Sequence, residues 1–444
     1  MFNHATVEFK PLSLYSVGMI ARNLMPRLVE ALADTPVVVL HGARQAGKST
    51  LARMVIEAGY PGQYLSLDDP GVFAAAQADP VGFVRAFEGP MVLDEWQRVP
   101  ELARAIKLEV DHKRLPGRFL LTGSASALML PQASDALVGR MEIINLWPLS
   151  QGEIEGVRDN LVDVLFQSGL PSFPATETTG SSLASRLTLG GYPEAVGRTN
   201  PSRRGAWFSS YLTSILQRDV RDLANIERLA DMPRLLGLLA ARSASLLNYA
   251  ELASALAMPQ STLKRYIGIL QVVFLLRLLP AWSRSRGRRL VKAPKILMTD
   301  LGLATHLLGV DVARLADERV LLGSLVEDFV SMEMIKQLGW SQTDAQPLHF
   351  RDHLGNEVDL VLEARDGRLV GVEVKAGVTV GSSDFKGLRM LAKTAGSDFI
   401  RGVLLYGGRE VIPFGDAMHA VPLGSLWSDT GRWSRPEVAA APLS

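Results

Sequence analysis

The 444-residue sequence predicts an α/β protein made of two α/β units joined by a helical middle. Three observations predict it. Between 36 and 147, five short and continuous apolar runs alternate with helix-sized mixed segments, the pattern of parallel strands buried on both faces. From about 150 to 300 the apolar periodicity is mainly helical. From about 318 a long helix leads into a second set of strand-like runs. The length fits two or three domains better than one core, and the expected bounds are 20–160, 185–300 and 318–425.

Composition narrows the class. With 47% hydrophobic and 21% charged residues, the chain is that of a soluble globular protein. A net charge of +1 gives no global field for a nucleic-acid partner, so any basic surface is local. The absence of cysteine excludes disulfides, thiolate zinc sites and thiol nucleophiles, and fits a reducing compartment. The start, "MFNHATVEFKPLSLYSVGMIARNL", lacks a basic segment followed by an apolar core, so no signal peptide is expected. The run "YIGILQVVFLLRLLPAW" is interrupted by Gln271 and Arg277 before reaching membrane-spanning length. The expectation is a cytoplasmic protein with no membrane partner.

The first unit has strands at "PVVVLH" (36–41), "GQYLSL" (62–67), "MVLD" (91–94), "RFLLTG" (118–123) and "MEIINLW" (141–147). Directly after the first comes "HGARQAGKST", which fits G-x-x-x-x-G-K-[ST]. It runs from Gly42 through Ala43, Arg44, Gln45, Ala46 and Gly47 to Lys48 and Ser49, with Thr50 following. Its glycines let backbone N–H groups wrap phosphates, Lys48 reaches the outer phosphates and the Ser49 hydroxyl ligates Mg²⁺. A helix starting near Lys48 adds its positive end. The alternative is a chance glycine turn, against which "VVVL" before and "STLARMVIEAG" after it count. In "GPMVLDEW", Asp94 would hold Mg²⁺ and Glu95 would orient or deprotonate an attacking water. Thr122, Ser124 and Ser126 in "LLTGSAS" either sense the γ-phosphate or form a polar turn. Arg140 in "LVGRMEI" either meets a phosphate, in its own or a neighbouring subunit, or caps a helix. ATP and Mg²⁺ are the expected cofactors, and a homo-oligomer is one arrangement that would use Arg140.

After a Ser/Thr/Pro-rich segment expected as a loop (167–185), the middle contains "LNYAELASALAMPQSTLKRYIGILQVVFLL". Two short helical patterns flank "MPQS", with Ser261 as N-cap of the second, the layout of a helix-turn-helix. Arg284, Arg286, Arg288, Arg289, Lys292 and Lys295 follow as a basic wing for a DNA or RNA backbone. The alternative is a winged-helix domain that packs its neighbours together, or meets a partner protein, with solvated arginines.

In the second unit, "GNEVDLVLEARDGRLVGVEVKAG" (355–377) predicts a hairpin around "ARDGR". Alternation puts Glu357 and Asp359 on one face of the first strand and Glu373 and Lys375 on one face of the next. If Asp359 and Glu373 face each other, they bind Mg²⁺ with a backbone carbonyl. Glu327 on the preceding helix adds a carboxylate, and Lys375 orients the attacking water or stabilises the charged transition state. The plain alternative is a hairpin with charges on a wet face.

Taken together, "VVVLHGARQAGKST", "YLSLDD", "MVLDEWQRVPEL", "LLTGSAS", "LVGRMEIINLWPLS" and "GGYPEAV" resemble the bacterial and archaeal AAA-type P-loop ATPases that carry a C-terminal domain of unknown function. The resemblance spans about 20 to 410 and implies ATP binding. Glu327, Asp359, Glu373 and Lys375 resemble the acidic and lysine positions of PD-(D/E)xK nucleases, with Val358 where that pattern has proline. The resemblances together imply a P-loop ATPase with a parallel sheet, a winged-helix middle and a nuclease-like C-terminal α/β domain. The function they imply is ATP hydrolysis controlling nucleic-acid processing. The alternative is an ATP-dependent DNA- or protein-binding switch with a catalytically silent C-terminal domain.

Overall fold

The structure, a computed structural model, describes residues 19–123, 136–169, 173, 178, 180–221 and 229–428. All five apolar runs of the first unit are strands: β1 (Val37–Gly42), β2 (Gln63–Ser66), β3 (Met91–Asp94), β4 (Phe119–Gly123) and β5 (Met141–Leu146). They form one parallel sheet in the order β2-β3-β4-β1-β5. Strands β1, β3 and β4 are buried at every residue, which is why they read as continuous apolar runs. Helices Met25–Asp34 and Lys48–Glu57 contribute to the core on one face, and helix Leu102–His112 to the core on the other.

The middle is helical, as its periodicity predicts. It begins earlier than expected: Gly180–Leu189 is a helix, where the Ser-rich composition suggests loop up to 185. Leu183, Ala184 and Leu187 give it a buried face, and that burial outweighs weak propensity. Helix Pro201–Ser214 continues into a π-helical turn, Ile215–Val220. Helices Tyr249–Ala255 and Gln260–Val272 occupy the two short helical patterns, followed by the antiparallel pair β6 (Leu276–Leu279) and β7 (Lys295–Met298). The cap of the second helix differs from expectation. Pro259 occupies the N-cap position without a side-chain cap, because the helix begins one residue before Ser261. The apolar run that ends at Trp282 divides between this helix and β6. Among the described residues no helix is long and apolar enough to cross a membrane.

Helix Arg319–Gln337 opens the C-terminal unit. Its sheet has the order β12-β13-β11-β10-β9-β8, from β8 (Ala345–Arg351), β9 (Glu357–Ala364), β10 (Leu369–Lys375), β11 (Phe399–Tyr406), β12 (Ile412–Pro413) and β13 (Met418–Pro422). Strands β9 and β10 form the predicted antiparallel hairpin, and β10–β11 and β11–β13 are parallel. The wet-face version of that hairpin fails. Val358 to Leu362 are all buried, Asp359 included, so both faces of β9 are covered. One apolar cluster runs from Leu161 through the middle to Trp427, so the middle and C-terminal units share a core.

Candidate nucleotide site and the buried carboxylate cluster

The phosphate loop lies where β1 ends and helix Lys48–Glu57 begins. Gly47 has φ +97°, a left-handed conformation natural only to glycine, and it turns the chain directly into the helix. Lys48 is buried, and its ammonium donates to the carbonyls of Gly42 (3.1 Å) and Ala43 (2.8 Å). Burial lowers its pKa to about 8, against the opposing pull of Glu95 and Asp94. Ser49 Oγ donates to Asp94 Oδ1 at 2.8 Å, Tyr64 donates to Asp94 Oδ2 at 2.6 Å, and Thr122 donates to Asp94 Oδ1. A hydroxyl and a carboxylate side by side are the hard oxygen donors that Mg²⁺ takes, so these residues fit the ion.

Glu95 follows Asp94 in a left-handed conformation, φ 55°, uncommon for a side chain other than glycine and found where a site is over-determined by its surroundings. Gln97 donates to its carboxylate, and burial pushes its pKa up. Glu95, Gln97 and Arg98 line a cleft of about 1120 Å³ with the phosphate loop. Ser124 and Ser126 lie outside the described residues. Arg140 does not line this cleft. It precedes β5, whose Met141 pairs with Val37 at the amino end of β1, whereas the phosphate loop leaves the carboxyl end. There Asp111 holds its guanidinium through two bonds of 2.6 and 2.9 Å. A phosphate contact from Arg140 within its own chain is thus corrected, because the sheet separates the two by the length of a strand.

The opposite wall comes from the middle. Arg198, Trp207, Arg218 and Asp219 face the loop across the cleft. Asp219, on the π-helical turn, pairs with Arg44 at 3.0 Å, and Tyr211 donates to the Arg44 carbonyl at 3.2 Å. The "GGYPEAV" segment supplies the turn before this wall. A Cβ on Gly191 would stand 2.4 Å from the Leu149 carbonyl, so only glycine permits that approach. None of these wall residues is flagged by the phosphate-loop motif; "GGYPEAV", just before Arg198, is the one local signal.

A buried polar chain leaves the cleft in the other direction. Arg22 donates to the Ala46 carbonyl of the loop (2.7 Å), to the Trp147 carbonyl (2.8 Å) and to Glu153 (3.0 Å). Glu153 forms a capping box with Ser150, and the next N–H, Gln151, donates to Glu333 at 2.7 Å. Glu333 pairs with Lys336, which donates to the Leu149 carbonyl. Beside them Asp159 accepts from Asn23 (2.6 Å) and Gln337 (3.3 Å), and burial, then Glu333 and Glu153, push its pKa up to about 7. Glu333, Lys336 and Gln337 are the last turns of helix Arg319–Gln337, the first element of the C-terminal unit.

In that unit Glu327, Asp359 and Glu373 come together, but around a fourth residue. Lys295, on β7 and 3% exposed, donates to Glu327 and to Asp359 (3.1 Å). The Val374 N–H donates to the other Asp359 oxygen at 3.0 Å. Burial first, then the neighbouring Asp359 carboxylate, raise the pKa values of Glu327 and Glu373. Among the described residues no group of three or more acidic or histidine side chains is gathered to hold a metal. Lys375 turns away to Asp384, at 2.6 Å. Lys295 is therefore not part of a basic surface, and Arg289 is bound in two places to Glu363. The remaining wing residues, Arg284, Arg286, Arg288 and Lys292, are exposed.

"Uncharacterized protein Rv2008c" of Mycobacterium tuberculosis and "Uncharacterized protein Mb2031c" of Mycobacterium bovis are each 33% identical to this chain over 407 residues, 91% of it and 84% of theirs. The chain belongs to their family. In this family member a family model described as "AAA domain" matches residues 34–155, which contain the phosphate loop, Asp94 and Glu95. Two models of domains of unknown function, DUF8612 and DUF4143, match 180–314 and 322–426. Among solved structures, the Walker-type ATPase paby2304 of Pyrococcus abyssi is 17% identical, with 64% of this chain and 95% of that one covered at a TM-score of 0.38. The RuvB Holliday junction branch migration motor of Thermotoga maritima is 19% identical, covering 59% and 90% at 0.29. The first unit is an AAA-type P-loop ATPase domain, and it supports ATP binding and hydrolysis.

Proposed function

We propose that the protein is an ATP-hydrolysing switch whose nucleotide state is passed to the C-terminal unit. One observation carries this: a buried chain runs from the Ala46 carbonyl through Arg22 and Glu153 to Ser150, and from the adjoining Gln151 N–H to Glu333 and Lys336. A change in loop position on binding or losing the γ-phosphate pulls on Arg22, and its buried partners cannot slip without losing hydrogen bonds. In this scheme Lys48 and the loop N–H groups bind the phosphates, while Ser49 and Asp94 hold Mg²⁺, which supplies charge neutralisation. Glu95 orients the water and accepts its proton; its raised pKa brings it closer to the working pH of a general base. Trp207, Arg198 and Arg218 close the cleft from the middle.

Glu95→Gln keeps the side chain's size and removes the base. ATP affinity should stay within a few-fold of wild type while turnover falls about a hundredfold or more. Unchanged turnover would assign the water to another residue.

A second reading concerns the C-terminal unit, and Lys295 favours it. An ammonium tethered through β7 already neutralises Glu327 and Asp359, and Lys375 is committed to Asp384. We therefore propose a catalytically silent platform over a nuclease. Labelled DNA and RNA incubated with the protein, ATP and Mg²⁺ should remain intact. Cleavage that disappears in Asp359→Ala would overturn this and restore the nuclease.

A further inference from the structure

Two shallow grooves meet at Met390, one on the C-terminal unit and one between that unit and the β6–β7 loop of the middle. One is lined by Lys386, Arg389 and Lys393, which lie at i, i+3 and i+7 and so form one stripe on helix Lys386–Ala395. At 1.5 Å per residue the stripe is about 10 Å long. The other groove is lined by Arg284, Arg288 and Lys292 of the β6–β7 loop, opposite Arg351 and His353.

The loop's position is fixed by the C-terminal sheet. Trp282 Nε1 donates to Glu363 at 3.3 Å, Arg289 grips the same carboxylate, and Lys292 donates to the Arg351 carbonyl at 2.8 Å. The arginines therefore stand beside the helical stripe as part of one surface. Among the described residues, Arg284, Arg288, Lys386, Arg389 and Lys393 make no ion pair, and all five are exposed. The neighbouring acids are already engaged. Asp352 accepts from the N–H groups of Leu354 and Asn356, Glu357 pairs with Arg351, and Asp384 pairs with Lys375. A row of unneutralised cations along a concave path, in a chain of net charge +1, is the complement of a polyanion with regularly spaced charges.

We infer that this face binds the phosphate backbone of a nucleic acid, with the β6–β7 loop and helix Lys386–Ala395 forming the two sides of one track. The inference rests on the C-terminal unit being a binding platform, and it is independent of ATP hydrolysis. Contacts to phosphates alone give affinity without base specificity. Leu290 (89% exposed) and Val291 (83%) of the β6–β7 loop and Leu354 (69%) of the β8–β9 connection are exposed apolar side chains nearby. They raise one rival, an anionic membrane surface, which a flat bilayer would meet poorly at a concave groove.

The test uses the full chain, without nucleotide and with chelator, and follows anisotropy of labelled duplex DNA over a salt series. With five or six phosphates contacted, log affinity should fall against log salt with a slope of about −5. Lys386→Ala/Arg389→Ala/Lys393→Ala should make the slope shallower by about 3, and Arg284→Ala/Arg288→Ala by about 2. The charge-keeping Lys386→Arg/Lys393→Arg should retain wild-type binding, which separates lost charge from lost fold. Single-stranded DNA and duplex RNA run in parallel identify which polymer is preferred, and a preference for any of them supports the phosphate track. No binding at low salt, or unchanged slopes in both charge-removing variants, overturns the proposal. So does binding to phosphatidylserine vesicles without binding to any of the three polymers. ATP hydrolysis measured on a separate aliquot of the same wild-type preparation, with ATP and Mg²⁺ and no chelator, keeps the two readings apart: intact turnover with no nucleic-acid binding removes only the track.

Discussion

Lys48→Ala is expected to weaken ATP binding about a hundredfold or more, the largest single effect at the nucleotide site. The substitution removes a charged donor from a buried position, and hydrogen bonds to charged groups are worth about 1.5–3 kcal/mol each. The ammonium now rests on the Gly42 and Ala43 carbonyls, within reach of phosphates that enter the loop. Titration calorimetry checks the affinity, and a thermal melt confirms that the variant is folded. A dissociation constant within about threefold of wild type would contradict the role given to the loop.

The second large effect belongs to Arg22. Its side chain is 6% exposed and that of Glu153 is 1% exposed, so Arg22→Ala leaves a carboxylate buried without its counter-charge. Breaking one partner of a buried pair costs about 3–5 kcal/mol. The same substitution strips a donor from the Ala46 and Trp147 carbonyls. Denaturant unfolding should show this loss, and Arg22→Met/Glu153→Met should recover much of it, since an apolar pair leaves no unpaired charge. Equal stability of Arg22→Ala and wild type would mean that the pair is not a structural link in the buried chain toward Glu333. In the double variant ATP should still bind, while its effect on the C-terminal unit is lost.

Much of the fold was legible because the decisive patterns are local. Strands β1, β3 and β4 are buried on both faces and hence apolar throughout, and the phosphate loop fills eight successive positions from Gly42 to Ser49. The "ARDGR" turn made the β9–β10 hairpin equally plain. What the sequence did not reveal depends on long-range placement. Arg22 reaches Glu153 across 131 positions, and Arg44 reaches Asp219 across 175, with no local signature at either end. The π-helical turn that carries Asp219 looks like ordinary helix in the sequence.

Lys295 is the clearest case of the same limit. A lysine following a run of basic residues has the same local pattern whether it points to water or to a carboxylate. Pairing of β7 with β6 decides between them, because it delivers the side chain to Glu327 and Asp359. The hairpin's charges led to the opposite error in the plain reading. Alternation allows Asp359 a wet face, and only the packing of helix Arg319–Gln337 and helix Lys386–Ala395 on the sheet removes it.

The central claim is that nucleotide in the cleft alters the C-terminal unit. Amide hydrogen exchange of the full chain, with and without Mg²⁺ and a non-hydrolysable ATP analogue, tests it most directly. Protection should change in the phosphate loop, and also in helix Arg319–Gln337 and strands β9 and β10. Arg22→Met/Glu153→Met should keep the first change and lose the second. Changes confined to the loop and its flanking strands in the wild-type protein, with residues 319–375 unaffected, would contradict the switch.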